Sequence, residues 1–183
     1  MFATRVHGNK SHDVLWTAEL LAAAAAAEGR PAAAVLAAPG VSLCTIDGRP
    51  TADPGPPIAD ALIVQDPAQL GSDDIFARLS AEAYLLVNST CGFGDLGAGE
   101  RVERFFRNRA LILPAVRLQP GLHDVAVCSS GLLGGFAALS RIVSLDSIIS
   151  AVDRMPGHPA WACAEAARAG YEFVRAEKEA LAV

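Results

Sequence analysis

Apolar and polar positions along the chain alternate in blocks that change period several times. Phe2–His7 reads as a short strand that ends at Gly8, and a polar turn, Asn9-Lys10-Ser11-His12-Asp13, follows it. Val14–Glu28 is rich in Ala, Leu and Glu, the composition of a helix, and Gly29 stands where such a helix stops. Ala32–Leu36 reads as the next strand. The chain therefore opens strand–turn–helix–strand, the order of a βαβ unit.

Pro39–Pro57 is a Pro-, Gly- and Asp-rich stretch, with a short strand expected at Ser42–Ile46 and a tight turn at Asp47-Gly48. Ala61–Gln65 is an apolar strand that ends in Asp66-Pro67. Asp74–Leu79 reads as a short helix, Tyr84–Asn88 as a buried strand, and Gly92–Gly99 as a flexible loop. Glu100–Arg107 is expected as a helical turn or an irregular link. Ala110–Pro114 and Val116–Leu118 are expected to be extended. Beyond Ser129 the pattern turns helical: Ser130–Leu139, Leu145–Asp153 and Pro159–Ala180, with Ser144 as a cap for the second and Gly157 or His158 for the third. Three consecutive helices suggest a cap or docking surface. The fold expected is α/β: three layers, a mostly parallel sheet with helices on both faces and a C-terminal helical cap, all 183 residues forming one domain.

Composition sharpens this picture. Hydrophobic residues make up 52% of the chain and charged residues 19%, more apolar than a free-standing soluble domain usually is. Either both faces of the sheet are buried or part of the surface is covered by partners. The net charge of −5, without a block of Lys or Arg, argues against nucleic acid, whose binding rests on neutralising phosphates. The N-terminal residues lack a signal-peptide pattern, and the Ala-rich run Leu20–Ala27 is too short to span a bilayer, so a cytoplasmic protein is expected. Cys44, Cys91, Cys128 and Cys163 lie far apart with no C-x-x-C spacing. Reduced thiols acting as small hydrophobes are expected, not a cluster or zinc site.

Several stretches, taken in order, resemble the γ subunit, or fused γ domain, of the pyruvate and 2-oxoisovalerate class of 2-oxoacid:ferredoxin oxidoreductases. Val6-His7-Gly8 with Val14–Leu21 is similar to that family's opening strand, loop and helix. Ala61–Pro67 resembles its central strand ending in Asp-Pro, and Tyr84–Ser89 its next strand. Ser129–Gly135 resembles its Asn-x-x-Leu-Gly-Ala helix start. Ser144-Leu145-Asp146 and Ala169-Gly170-Tyr171 are similar to its closing helices. The resemblance implies an accessory subunit without redox chemistry of its own. It implies α, β and ferredoxin-like δ partners, with thiamine diphosphate and iron–sulfur clusters on those partners and no cofactor held by this chain alone. The complex would decarboxylate a 2-oxoacid oxidatively, making an acyl-CoA where coenzyme A is used, and would pass electrons to ferredoxin or a similar acceptor. The alternatives are a scaffold subunit of a related complex with an unusual substrate and a stand-alone flavodoxin-like binding protein. A small hydrolase is disfavoured by the lack of a G-x-S-x-G nucleophile signal.

Two departures from the family pattern fall in loops where such folds bind ligands. The family's Gly-Arg-Gly-Gly-Gln-Gly turn is here Gly8-Asn9-Lys10-Ser11-His12-Asp13. Its Gly- and Arg-rich segment after the second strand is shortened to Ala37–Ser42. The ligand-proximal candidates are therefore Gly8, Asn9, Lys10, Ser11, His12, Pro39, Gly40, Ser129 and Ser130. In the first loop, Asp13 is expected as an N-cap or first-turn carboxylate, with Lys10 or His12 as the rival contacts to an anion. His7 and His12 titrate in the right range for acid–base work but have no nucleophile beside them. His123-Asp124 is read as a loop feature, and Cys128-Ser129 as a buried thiol with a capping serine. Asp73-Asp74 and Glu100/Glu103 are read as solvated carboxylates without the spacing of a magnesium site.

Overall fold

The computed structural model describes residues 1–48, 57–106, 108–118 and 124–181. Six strands form one sheet: β1 (Phe2–His7), β2 (Ala32–Ala38), β3 (Val41–Ile46), β4 (Ala59–Val64), β5 (Leu79–Asn88) and β6 (Ala110–Leu113), in the spatial order β2-β3-β1-β4-β5-β6. The pairings β1–β4, β4–β5 and β5–β6 are parallel; β1–β3 and β2–β3 are antiparallel. The sheet is mixed and mostly parallel. The opening βαβ unit is split, because β3 returns from a hairpin and inserts between β1 and β2.

Side-chain alternation along each central strand divides the core in two. Ala61 and Ile63 of β4, Leu86 of β5 and Leu111 and Leu113 of β6 face one cluster. Their neighbours Leu62, Val64, Leu85, Val87 and Ala110 face the other. The first face is covered by α1 (Ser11–Ala27), α4 (Val125–Ser140), α5 (Leu145–Val152) and α6 (Ala160–Leu181). The second face carries only short pieces: 3-10 turns at Pro67–Gly71 and Asp73–Phe76, the one-turn helix α2 (Gly99–Val102), and the aromatic pair Phe76 and Phe105. Arg5 fastens one of these turns to the sheet, its guanidinium donating to the carbonyls of Ile75 (2.9 Å) and Ala77 (2.7 Å).

Thirteen of the sixteen residues of α4 are buried, so it forms the core of the C-terminal helical layer. It crosses α6 at very close range. A Cβ on Gly134 would lie 1.9 Å from the Ala167 carbonyl oxygen, and one on Gly170 would lie 2.0 Å from that of Gly131. Small residues on both helices let the two backbones touch, as the Gly-rich sequence of α4 requires.

Several elements differ from the sequence expectation. The segment expected to be helical at Asp74–Leu79 is a 3-10 turn that gives way to β5 at Leu79. Val116–Leu118 is not extended but belongs to a helical turn, α3 (Ala115–Leu118), which follows Pro114. The fixed φ of Pro114 suits the approach to a helix start. α4 starts at Val125, capped by the Asp124 carboxylate, which accepts from the Ala126 N–H at 2.7 Å, so Cys128 and Ser129 lie inside the helix and Ser129 caps nothing. α1 starts at Ser11 after Lys10, and Asp13 sits in its first turn without being the cap. Ser144 does cap α5, its Oγ accepting from the Ser147 N–H at 3.1 Å. His123 lies outside the described residues, as does the side chain of Asp73.

Candidate functional site

β1, β4, β5 and β6 run in one direction, so their carboxyl ends share one edge of the sheet. Between β1 and β4 the chain reverses its direction of travel: from β1 it goes out through α1 to β2, and from β4 it goes the other way to β5 and β6. A crevice at that point is the usual ligand position in open α/β sheets. Such a crevice is present, about 270 Å³ in volume. Asn9, Lys10 and Asp13 line it after β1, Gln65 and Asp66 after β4, Asn88 at the end of β5, and Val125, Cys128, Ser129 and Leu132 on α4.

Its floor is a hydrogen-bonded strap. The Gln65 amide nitrogen donates to Thr17 Oγ1 of α1 at 2.7 Å and to Ser129 Oγ of α4 at 2.9 Å. Asn88 donates to the Gln65 carbonyl at 3.1 Å, and its own amide oxygen accepts from the Ala115 N–H at 3.1 Å. α1, α4 and the helical turn that starts at Ala115 are thereby tied to the ends of β4 and β5. The amide groups of the floor are already engaged; the exposed polar groups on the rim are those of Asn9 and Lys10.

The loop after β1 is tied to the β2–β3 hairpin. The Gly8 N–H donates to the Gly40 carbonyl at 3.0 Å, and the Gly40 N–H donates to Ser11 Oγ at 3.1 Å. Gly40 has φ +71°, and a Cβ there would stand 2.4 Å from the Gly8 carbonyl oxygen, so both its conformation and its contact require glycine. Gly8, Asn9, Lys10, Ser11 and Gly40 are thus brought together beside the crevice, and Pro39 precedes Gly40 on the exposed turn. His12 points to solvent, its Nε2 at 2.6 Å from Asp13 Oδ1. Ser129 reaches the crevice. Ser130 does not: it is buried and donates to the Ala126 carbonyl at 2.7 Å.

A second cleft, of about 450 Å³, adjoins the first across Asp13 and Val125. Trp16 and His158 meet edge to face there, ring centroids 5.0 Å apart, with Glu19 and Asp124 at its border. The residues that sequence reasoning missed at these sites are Gln65, Asp66, Asn88, Trp16 and His158, while Cys128, read from the sequence as a buried thiol, is half-buried and lines the crevice. For the first three a signal existed: each is polar and ends or follows an apolar strand, where the parallel sheet presents its ligand edge.

The titratable groups nearby are tuned away from reactivity. Burial and then the Arg5 charge hold His7 down at about 4, on the far side of β1 from α1. Burial pushes the Cys44 thiol up to about 12, and burial with the Asp124 charge raises Cys128. A raised thiol is the opposite of an activated nucleophile. Among the described residues no cluster of three or more His, Cys, Asp or Glu could hold a metal ion, and no helix is long and apolar enough to cross a membrane.

Neither a protein-family model nor a curated relative matches the sequence. Solved structures do match in fold. A pyruvate oxidoreductase subunit from Thermotoga maritima superposes with a TM-score of 0.71 at 23% identity, covering 93% of this chain and 95% of that one. The γ subunit of a keto/oxoacid ferredoxin oxidoreductase from Geobacter sulfurreducens gives 0.70 at 20% identity, covering 96% of this chain and 99% of that one. Over most of its length, this chain carries the fold of these oxoacid oxidoreductase subunits.

Proposed function

We propose that the chain is a γ-type accessory subunit of a 2-oxoacid oxidoreductase complex, with thiamine diphosphate and iron–sulfur clusters held by partner chains. The correspondence in fold with two such subunits, near end to end in both directions, carries this reading. The chemistry of the chain agrees with it. Burial raises the thiols of Cys44, Cys128 and Cys163, and the crevice at the strand ends is floored by amides already engaged in hydrogen bonds.

In this reading the crevice is a wall or gate along a ligand path, with coenzyme A as the ligand class it would border. Its volume suits one arm of such a molecule and falls below the 300–1,000 Å³ usual for a whole drug-sized ligand. The Gly8–Asp13 loop works by position, not as a phosphate cradle. Asn9 and Lys10 put side chains where backbone N–H groups would have to approach a phosphate, and Asp13 adds a negative charge costing about 1 kcal/mol at 4 Å even in water.

Recovery of the affinity-tagged chain from its source cells tests the proposal. The expected result is co-purification with chains that contain iron and thiamine diphosphate, in a complex that reduces a viologen dye when given a 2-oxoacid. Recovery with no such chains contradicts it.

A further inference from the structure

The two edges of the sheet are treated differently. β6 is four residues long, and Ala110, Leu111 and Leu113 in it are buried. β2 is seven residues long, Ala-Ala-Ala-Val-Leu-Ala-Ala, and its outer edge pairs with nothing among the described residues. Val35 is 52% exposed and Leu36 46%. Natural sheets guard a long edge with charge, proline or very short strands, because a free row of N–H and C=O groups recruits another strand. Ala32–Ala38 contains neither charge nor proline. Its one irregularity is a bulge between Leu36 and Ala38, which leaves Ala32–Leu36 regular.

We propose that β2 pairs antiparallel with β2 of a second copy of this chain, joining two sheets across a two-fold axis. The occupant follows from the strand itself. A backbone edge that no described residue pairs with accepts an extended strand, and this strand fits its own image. With Ala34 on the axis, Val35 stands opposite Ala33 and Leu36 opposite Ala32, so each large side chain meets a small one and no like charges meet. The register also stops before the bulge. Ala32 and Ala34 pack towards α1, so Ala33 and Val35 lie on the open face. A two-fold normal to the sheet keeps both helical layers on one side, and the contact is isologous and closed. The pairing is independent of the chemistry assigned to partner subunits.

The test uses the full chain and two substitutions at one exposed position, Val35→Lys and Val35→Glu. Sedimentation should show the wild type as a dimer and each variant alone as a monomer, its dissociation constant raised about tenfold or more. Circular dichroism and melting of the variants should stay close to wild type, since Val35 is half exposed. Mixing the two variants should restore the dimer, because opposite charges then lie diagonally across the axis. Ala33→Lys and Ala33→Glu give the same readout should the first pair fold poorly. A monomeric wild type overturns the proposal, as do variants that remain dimeric. So does a mixture that fails to recover. A wild type that is monomeric alone but loses a partner subunit on Val35→Lys also overturns it, and shows that a strand of another chain covers the edge.

Discussion

Replacing Gly134 by Ala tests how tightly the helical layer is built. The added methyl carbon would stand 1.9 Å from the Ala167 carbonyl oxygen and 2.6 Å from the carbonyl carbon, where ordinary contact begins at 3.4 Å. α6 would have to retreat by the difference, about 1.5 Å, at a crossing where both helices are buried. The obstacle is backbone, which cannot swing aside as a side chain would. The cost belongs at the upper end of the overpacking range or beyond, about 3–4 kcal/mol, and alanine's helix propensity returns about 1 kcal/mol. A net loss of about 2–3 kcal/mol should lower the melting temperature by about 4–12 °C in a chain of this size. Gly71→Ala is the control, since nothing lies within 4 Å of a Cβ there and its φ is ordinary; its effect should stay within about 1 kcal/mol. Thermal and denaturant unfolding of both variants decides the matter. A Gly134→Ala protein that melts with the wild type would refute the close crossing of α4 and α6.

Three further outcomes follow from the same structure. His7 takes up its proton near 6.5 when unfolded but only near 4 when folded, so between those values the unfolded state holds more protons and stability falls as the pH falls. The loss, discounted for partial solvent access, is about 1–3 kcal/mol, and denaturant titrations from pH 7 to 4 should show it flattened in His7→Val. Gln65→Ala removes the strap between α1 and α4 and should cost about 1–3 kcal/mol in unfolding free energy, with Gln65→Leu no better; a neutral result in both would mean the amide bonds carry no stability. Iodoacetamide at neutral pH should label exposed Cys91 quickly and leave Cys44 and Cys163 slow, and mass mapping that finds fast labelling at Cys44 would contradict its enclosure.

The strands were legible where a short apolar run stands between turn residues. Phe2–His7 and Ala110–Leu113 could be read off the residues in this way, and the sheet buries both faces of each. Helix starts were harder. α4 opens with Val125-Ala126-Val127, residues that read as strand, and only tertiary burial and the Asp124 cap make them helical. α1 starts at Ser11 with no capping side chain at Lys10, so the usual signal is missing. Gly8 and Gly40 were picked out from their loops, and their adjacency is a fact of topology: the β2–β3 hairpin folds back beside β1. Gln65 and Asn88 were visible as strand ends but not as members of one site, because they lie 23 residues apart and meet only through the parallel pairing of β4 and β5.

The central claim is that this chain supplies architecture while its partners supply redox chemistry. The most direct test measures iron, thiamine diphosphate and 2-oxoacid-driven dye reduction in parallel, on the purified chain alone and on the complex assembled with its partner chains. The account predicts none of the three in the isolated chain and all three in the complex, with activity falling when this chain is left out of the assembly. Stoichiometric cofactor or turnover in the isolated chain would contradict it, as would full activity of the partners without it.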